Sequence, residues 1–382
     1  MTYIYLDHAA TTPLNPDVLE AMLPSLGANY GNPSSTHRLG REAKAVINRS
    51  RDSIANQLGC SPSQLIFTSG GTESDNMALY GILQPHYGEG KHIITSQIEH
   101  HAVLHSLERF ESLGFEVTYV PVDPTGLIHI EDVKEAIRPN TVLISIMYVN
   151  NEVGTLQPIE EIGHMARSYG IPFHVDAVQA LGKLPFRISE LPIDLMSISS
   201  HKINGPKGIG ALYVAKETHL VPTLYGGSQE RKRRPGTENV PAIAGFAKAV
   251  QITIEKLSEM QLFYEELRQI MVSVLDQELT PEGYVINGHP TQRVAHILNI
   301  SFPGVLTESL LMNLDMDGVA AASGSACSSG SLEVSHVLKA MQLPDIVTSS
   351  AVRFSFGMGN SKQQIELAAQ KTATIVKRLR NK

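Results

Sequence analysis

From about residue 34 to residue 218 the apolar positions alternate between two periods. Leu39, Ala43, Val46, Ile47, Ile54 and Leu58 recur at helical spacing behind a polar cap region at Ser34-Ser35. Short apolar runs follow at 65–67, 92–95, 117–120, 142–147, 173–175 and 195–198, and these predict strands. Helical patterns at 74–80, 102–112 and 159–168 fall between them. Such alternation predicts an α/β unit with a mostly parallel sheet covered by helices on both faces. In a sheet of that kind ligands gather beyond the carboxyl ends of the strands. After Pro241 helical spacing runs to about Gln277, and strands are predicted at 295–301 and 351–356 among further helices. This second stretch predicts a smaller α+β domain. The boundaries read as 16–255 for the large domain, with 1–15 and 256–382 forming the small one.

A chain of 382 residues exceeds the usual size of one core, which supports two domains. A hydrophobic content of 42% with 18% charged residues describes an ordinary globular protein. The formal net charge of -7 argues against nucleic acid or an anionic membrane surface as a direct partner. No apolar run is long enough for a membrane span, and no basic-then-apolar leader opens the sequence. Two cysteines, Cys60 and Cys327, make no disulfide framework and suit a reducing cytoplasm.

Candidate chemistry collects at predicted strand ends. Lys202 closes the strand at 195–198 and enters a Gly/Pro loop, while the neighbouring strand delivers Asp176 to the same edge. A lysine that forms a Schiff base, paired with a carboxylate for a pyridinium nitrogen, is what pyridoxal phosphate chemistry requires. Ser69-Gly-Gly-Thr-Glu73 sits between a strand and a helix, so Gly71 and Thr72 read as a phosphate cradle or as a plain tight turn. His100 is placed to stack on a cofactor ring and exchange protons, or simply to cap a helix. His101 and His105, four residues apart, admit a metal pair, but no His-Glu-x-x-His motif accompanies them and no metal site is expected. Asn151, after the strand at 142–147, offers a neutral amide, although Asn-Asn also suits a turn. Arg353 on the predicted strand at 351–356 suits a carboxylate held by two parallel hydrogen bonds, or an exposed edge. Cys327 lies among Ser, Gly and Ala with no apolar periodicity, which predicts a mobile loop at about 322–333 carrying a reactive thiol. The run Glu230 to Asn239 concentrates four cations that are either solvated or close over an anion.

Taken together these stretches resemble the cysteine desulfurase family, in the class V aminotransferase-like group of fold type I pyridoxal phosphate enzymes. The resemblance runs through Tyr5-Leu-Asp-His-Ala-Ala-Thr-Thr-Pro13, Gly31-Asn-Pro-Ser-Ser35, Ser69-Gly-Gly-Thr-Glu-Ser74 and His174-Val-Asp-Ala-Val-Gln179. It continues through Ser200-His-Lys-Ile-Asn-Gly-Pro-Lys-Gly208, Arg234-Pro-Gly-Thr-Glu-Asn239 and Ser323-Gly-Ser-Ala-Cys327. It implies a seven-stranded, mostly parallel sheet, pyridoxal 5'-phosphate as cofactor, L-cysteine as substrate and a homodimer. By position it makes Lys202 the imine-forming lysine, Asp176 the partner of the ring nitrogen and His100 the stacking ring. Gln179 and Asn151 then serve the phenolate side of the cofactor. Gly71, Thr72, Ser199 and His201 bind its phosphate, joined by Thr237 of the partner subunit. Arg353, Asn32 and Asn151 hold the substrate carboxylate, and Cys327 takes the sulfur as a persulfide. The sulfur acceptor implied is a tRNA thiolation enzyme or an iron–sulfur scaffold. Members serving that scaffold carry a longer aromatic, acidic C-terminal tail, whereas this sequence ends Lys377-Arg-Leu-Arg-Asn-Lys382. The nearest alternatives are a selenocysteine lyase or an aminotransferase on the same fold; a metal hydrolase and a catalytically silent sulfur relay stand further off.

Overall fold

The computed structural model describes residues 3–324 and 334–381, so Cys327 lies outside the described residues. The elements run β1 (Ile4–Tyr5), α1 (Pro16–Leu26), α2 (Arg38–Leu58), β2 (Leu65–Thr68), α3 (Gly71–Leu83), β3 (His92–Ser96), α4 (His101–Glu111) and β4 (Glu116–Val120). Next come α5 (Ile130–Ala136), β5 (Thr141–Met147), α6 (Ile159–Ser168), β6 (Phe173–Asp176), β7 (Leu195–Ser199), β8 (Gly210–Val214), α7 (Val240–Glu255) and α8 (Leu257–Leu279). The remainder is β9 (Val285–Asn287), β10 (Ile297–Ser301), α9 (Thr307–Met316), β11 (Val319–Ala320), α10 (His336–Ala340), α11 (Asp345–Thr348), β12 (Ala351–Ser355) and α12 (Lys362–Arg380).

Seven strands form one sheet in the order β2-β8-β7-β6-β5-β3-β4. Only β8 runs against its neighbours β2 and β7; the other pairings are parallel. The carboxyl ends of β2, β3, β5, β6 and β7 therefore open at one edge. Nearly every residue of β3, β5, β6 and β7 is buried, as expected for strands covered on both faces. β8 is the strand that periodicity did not single out. It returns antiparallel from β7 through the turn around Gly208, whose φ of 77° lies in the left-handed region open to glycine.

A second core gathers Ile4 and Leu6 with residues from Tyr264 to Val376, around the three-stranded sheet β12-β10-β9 and helices α8 and α12. The N-terminal residues join it because β1 pairs in parallel with β11. The single helical stretch expected after Pro241 is two helices broken at Lys256, whose backbone leaves helical geometry. The cap expected at Ser34-Ser35 is instead His37, whose Nδ1 accepts from the Gly40 amide at 3.3 Å. Among the described residues no helix is long and apolar enough to cross a membrane.

Candidate active site

The open sheet edge holds a cavity of about 320 Å³. Gly71, Thr72, His100, Asn151, Asp176, Gln179, Ser199, His201, Lys202 and Arg353 all line it. Most of these residues meet there because they sit at or just beyond the carboxyl ends of β2, β3, β5, β6 and β7, while Arg353 comes from within β12.

Lys202 sits one turn beyond β7. Its Nζ donates to the carbonyls of Ala9 (2.6 Å) and Ala10 (2.8 Å), so the N-terminal segment forms the wall behind the amine. Burial, helped by the Arg353 charge, brings its pKa down to about 8. The neutral, nucleophilic amine is thereby accessible near neutral pH. Asp176 ends β6 and accepts from the Val178 amide at 2.9 Å. Burial pushes its carboxyl up, while that amide and the Lys202 charge pull the other way. Also lining the cavity, Asp75 has its carboxyl pushed well above the usual carboxylate range by burial and the Asp176 charge. His174 lies beneath, bonded to Ser145 (2.8 Å) and Ser197 (3.0 Å), and burial keeps it neutral.

His100 both caps a helix and lines the cavity. Its Nδ1 caps α4 by accepting from the Ala102 amide at 3.1 Å, and its ring faces the cavity. Burial and the Lys202 charge bring its pKa down to about 4, so the ring is neutral at pH 7. His101 and His105 stack ring on ring at 4.8 Å, and among the described residues no group of three or more ligating side chains is set to hold a metal.

The anion end is built at α3. This 13-residue helix has Gly70 at its N-cap and no side chain satisfying its first amides. Ser199 Oγ, buried and without a hydrogen-bond partner, stands beside Gly70. A Cβ on Gly71 would come within 2.6 Å of the Val178 side chain, so the backbone must stay bare there. Free amides, a helix dipole and an orphan hydroxyl suit a phosphate. His201 adds its ring, held by Thr11 at 3.1 Å. The basic run is not simply solvated: Glu230 pairs with buried Arg51 at 2.5 Å, and Arg234 pairs with Glu73 at 2.8 Å beside the cradle.

At the opposite end Arg353, in β12, bonds the Asn151 carbonyl (2.8 Å) and Asp7 (2.9 Å), leaving its buried Nε without a partner. Gln179 is held by the Ala9 carbonyl at 2.8 Å. Two expected residues stand elsewhere in the chain. Asn32 is exposed, and its side chain closes its own loop by accepting from the Ser34 amide at 2.9 Å. Thr237 is exposed beside Arg234 and Glu230 at a separate recess. Cys60 is half-buried, and burial raises its thiol to about 11, which leaves little thiolate at pH 7. Asp75, Glu152, His336 and the Ala9-Ala10 carbonyls are cavity groups the sequence reading did not select. The alanines lay inside the stretch Tyr5 to Pro13 and Glu152 directly follows Asn151; Asp75 and His336 carried no local signal.

A cradle at a helix N-terminus, a buried lysine and a buried aspartate at adjacent strand ends define a pyridoxal phosphate fold of type I. The class-V aminotransferase family model matches residues 4–367. The chain is 47% identical over 378 residues to the cysteine desulfurase IscS of Methanosarcina thermophila, covering 99% of this chain and 93% of that one. It is 45% identical to the cysteine desulfurase IscS of Dictyoglomus turgidum, with coverage of 99% and 95%. Among solved structures, a NifS-like protein superposes with a TM-score of 0.92 at 36% identity, covering 98% of this chain and all of the other. SspA, solved in complex with cysteine, gives 0.82 at 38% identity, covering 92% and 98%. The chain belongs to the cysteine desulfurases of the class-V aminotransferase family.

Proposed function

We propose that this enzyme converts L-cysteine to L-alanine with pyridoxal 5'-phosphate and leaves the sulfur on Cys327 as a persulfide. The observation that carries the reading is the meeting of Lys202 and Asp176, from adjacent parallel strands, in one buried cavity with an uncapped helix N-terminus. The relative solved with cysteine supports the substrate.

Bound there, pyridoxal phosphate supplies an electron sink for the substrate α-carbon. Lys202 would hold it covalently, Asp176 would face the ring nitrogen, and the amides at the start of α3 with Ser199 and His201 would take the phosphate. Thr237 of a partner subunit in a homodimer would complete that end. Arg353 offers its free Nε to the substrate carboxylate, beside Asn151. Displaced Lys202 is then an amine buried next to the substrate, and its Nζ takes the α-proton. The Cys327 thiolate attacks the substrate sulfur. The new S–S bond forms as the Cβ–S bond breaks, and its electron pair stays with the carbon skeleton, which is protonated to alanine. The persulfide passes to a protein acceptor of tRNA thiolation or iron–sulfur assembly in the cytoplasm.

Cys327→Ala tests this directly. The variant should hold cofactor and change its visible spectrum with L-cysteine, yet form no alanine and no persulfide by mass spectrometry. Wild-type alanine production by that variant would remove Cys327 from the reaction.

A further inference from the structure

Glu152 has no part in the chemistry above, yet it is buried at the wall of the cavity that Asn151 and Arg353 also line. Its backbone is fixed: the Asn150 side chain accepts from the Glu152 amide at 2.9 Å, and Asn299 donates to the Glu152 carbonyl at 3.2 Å. Two contacts radiate from its Oε2. Ser335 Oγ donates to it closely, while the same oxygen of Ser335 caps α10 by accepting from the Leu338 amide at 3.2 Å. On the other side lies Gly324, where a Cβ would overlap the Glu152 carboxyl. Gly324 has no left-handed φ, so the carboxyl rather than the backbone demands glycine there.

These two neighbours are the last described residue before 325–333 and the second after it. Each has further support. Ala322 exchanges backbone hydrogen bonds with Arg353 at 2.7 and 3.1 Å. His336 Nε2 donates to the Glu99 carbonyl at 3.0 Å, and its ring packs on His101 at 4.8 Å. The separation of the two stems, and their distance from Arg353, is thus set at one carboxyl group.

Building on the reading of Cys327 as the sulfur nucleophile, we propose that Glu152 is a positioning residue for sulfur transfer, clasping both stems of the segment that carries that cysteine. Burying a carboxyl costs stability unless something uses it, and a misplacement of about 1 Å at a reacting group can slow a step about 100-fold. The steps before sulfur attack depend on Lys202, Asp176, the α3 cradle and the Arg353 side chain. Arg353 is held by the Asn151 carbonyl and Asp7, and Glu152 makes no hydrogen bond to any of these side chains.

The test separates those steps on the holoenzyme. Glu152→Ala should keep its cofactor and its spectral response to L-cysteine within about twofold, while single-turnover alanine formation and Cys327 persulfide fall about 10- to 100-fold. Glu152→Gln, which still accepts from Ser335, should recover most of that loss. Gly324→Ala should slow the same step, and Gly324→Ala with Glu152→Ala should be no slower than Glu152→Ala alone, because the methyl group occupies the vacated space. Wild-type alanine formation by Glu152→Ala, a parallel loss of the spectral response, no recovery in Glu152→Gln, or multiplying defects in the double variant would each overturn the proposal. Should Glu152→Ala not fold, Ser335→Ala and Gly324→Ala carry the same prediction. Alanine production by Cys327→Ala would instead sink the nucleophile assignment, so the two failures are told apart.

Discussion

A single amine shows how burial becomes reactivity. Lys202 is charged in water to well above pH 10, but here its pKa falls to about 8 because the cavity disfavours the ammonium and Arg353 repels it. The sign follows: a lowered folded value means the neutral amine is present above about pH 8 rather than above 10.5. In the cofactor-free protein, labelling by a small aldehyde trapped with borohydride should be half-maximal near pH 8 at Lys202, read by peptide mass spectrometry. A midpoint near the value for free lysine would show that burial and the Arg353 charge do not depress it. Over the same interval the unfolded chain binds the extra proton. The Lys202 contribution to stability therefore improves as pH rises from about 8 to 10.5. At this scale the sequence was informative: Lys202, Asp176 and His100 were named from their places at strand ends. The burial of Lys202 was not visible, because residues 9 and 10, almost two hundred positions away, wall its amine.

Elements decide what those residues can hold. The start of α3 is left bare by two glycines and faces Ser199 Oγ from β7, an arrangement that neither β2-α3 nor β7 makes alone. Gly71→Ala brings a methyl against Val178 and crowds the approach to the helix amides. Overpacking at such a site costs about 1–3 kcal/mol, so affinity for pyridoxal phosphate should fall about tenfold or more, measured by cofactor release on dialysis. Unchanged retention would mean that the phosphate lies elsewhere. The elements themselves were largely legible because β3, β5, β6 and β7 are buried on both faces and read as unbroken apolar runs. β8 escaped because its short run, Gly-Ala-Leu-Tyr-Val, has no clear alternation, and pairing with β2 and β7 makes it a strand.

At the scale of the whole molecule, Arg353 ties the parts together. It sits in the second core's sheet, reaches Asp7 near the N-terminus and bonds the Asn151 carbonyl at the edge of the first sheet. Lysine in its place keeps the charge but loses the planar fork and at least one of those bonds. Arg353→Lys should therefore raise KM for L-cysteine about tenfold or more while cofactor content stays at the wild-type level, since Arg353 bonds Asn151 and Asp7 rather than the cradle residues. Steady-state alanine kinetics with the cofactor absorbance of the same sample decide it. An unchanged KM would remove the carboxylate role.

Sequence alone determined the alternation of periods that makes a parallel sheet, the side-chain types that pyridoxal phosphate chemistry needs, and the strand ends at which they fall. Those are local properties, fixed by short-range sterics and by which faces must leave water. Tertiary structure decided which of those groups meet. Asn32 closes its own loop and Thr237 faces a separate recess, whereas Asp75 and His336, unmarked in sequence, and Glu152, next to Asn151, were drawn into the cavity. The difference is physical: a buried charge or a shared oxygen exists only once distant segments exclude water together, and no stretch of chain carries that information by itself.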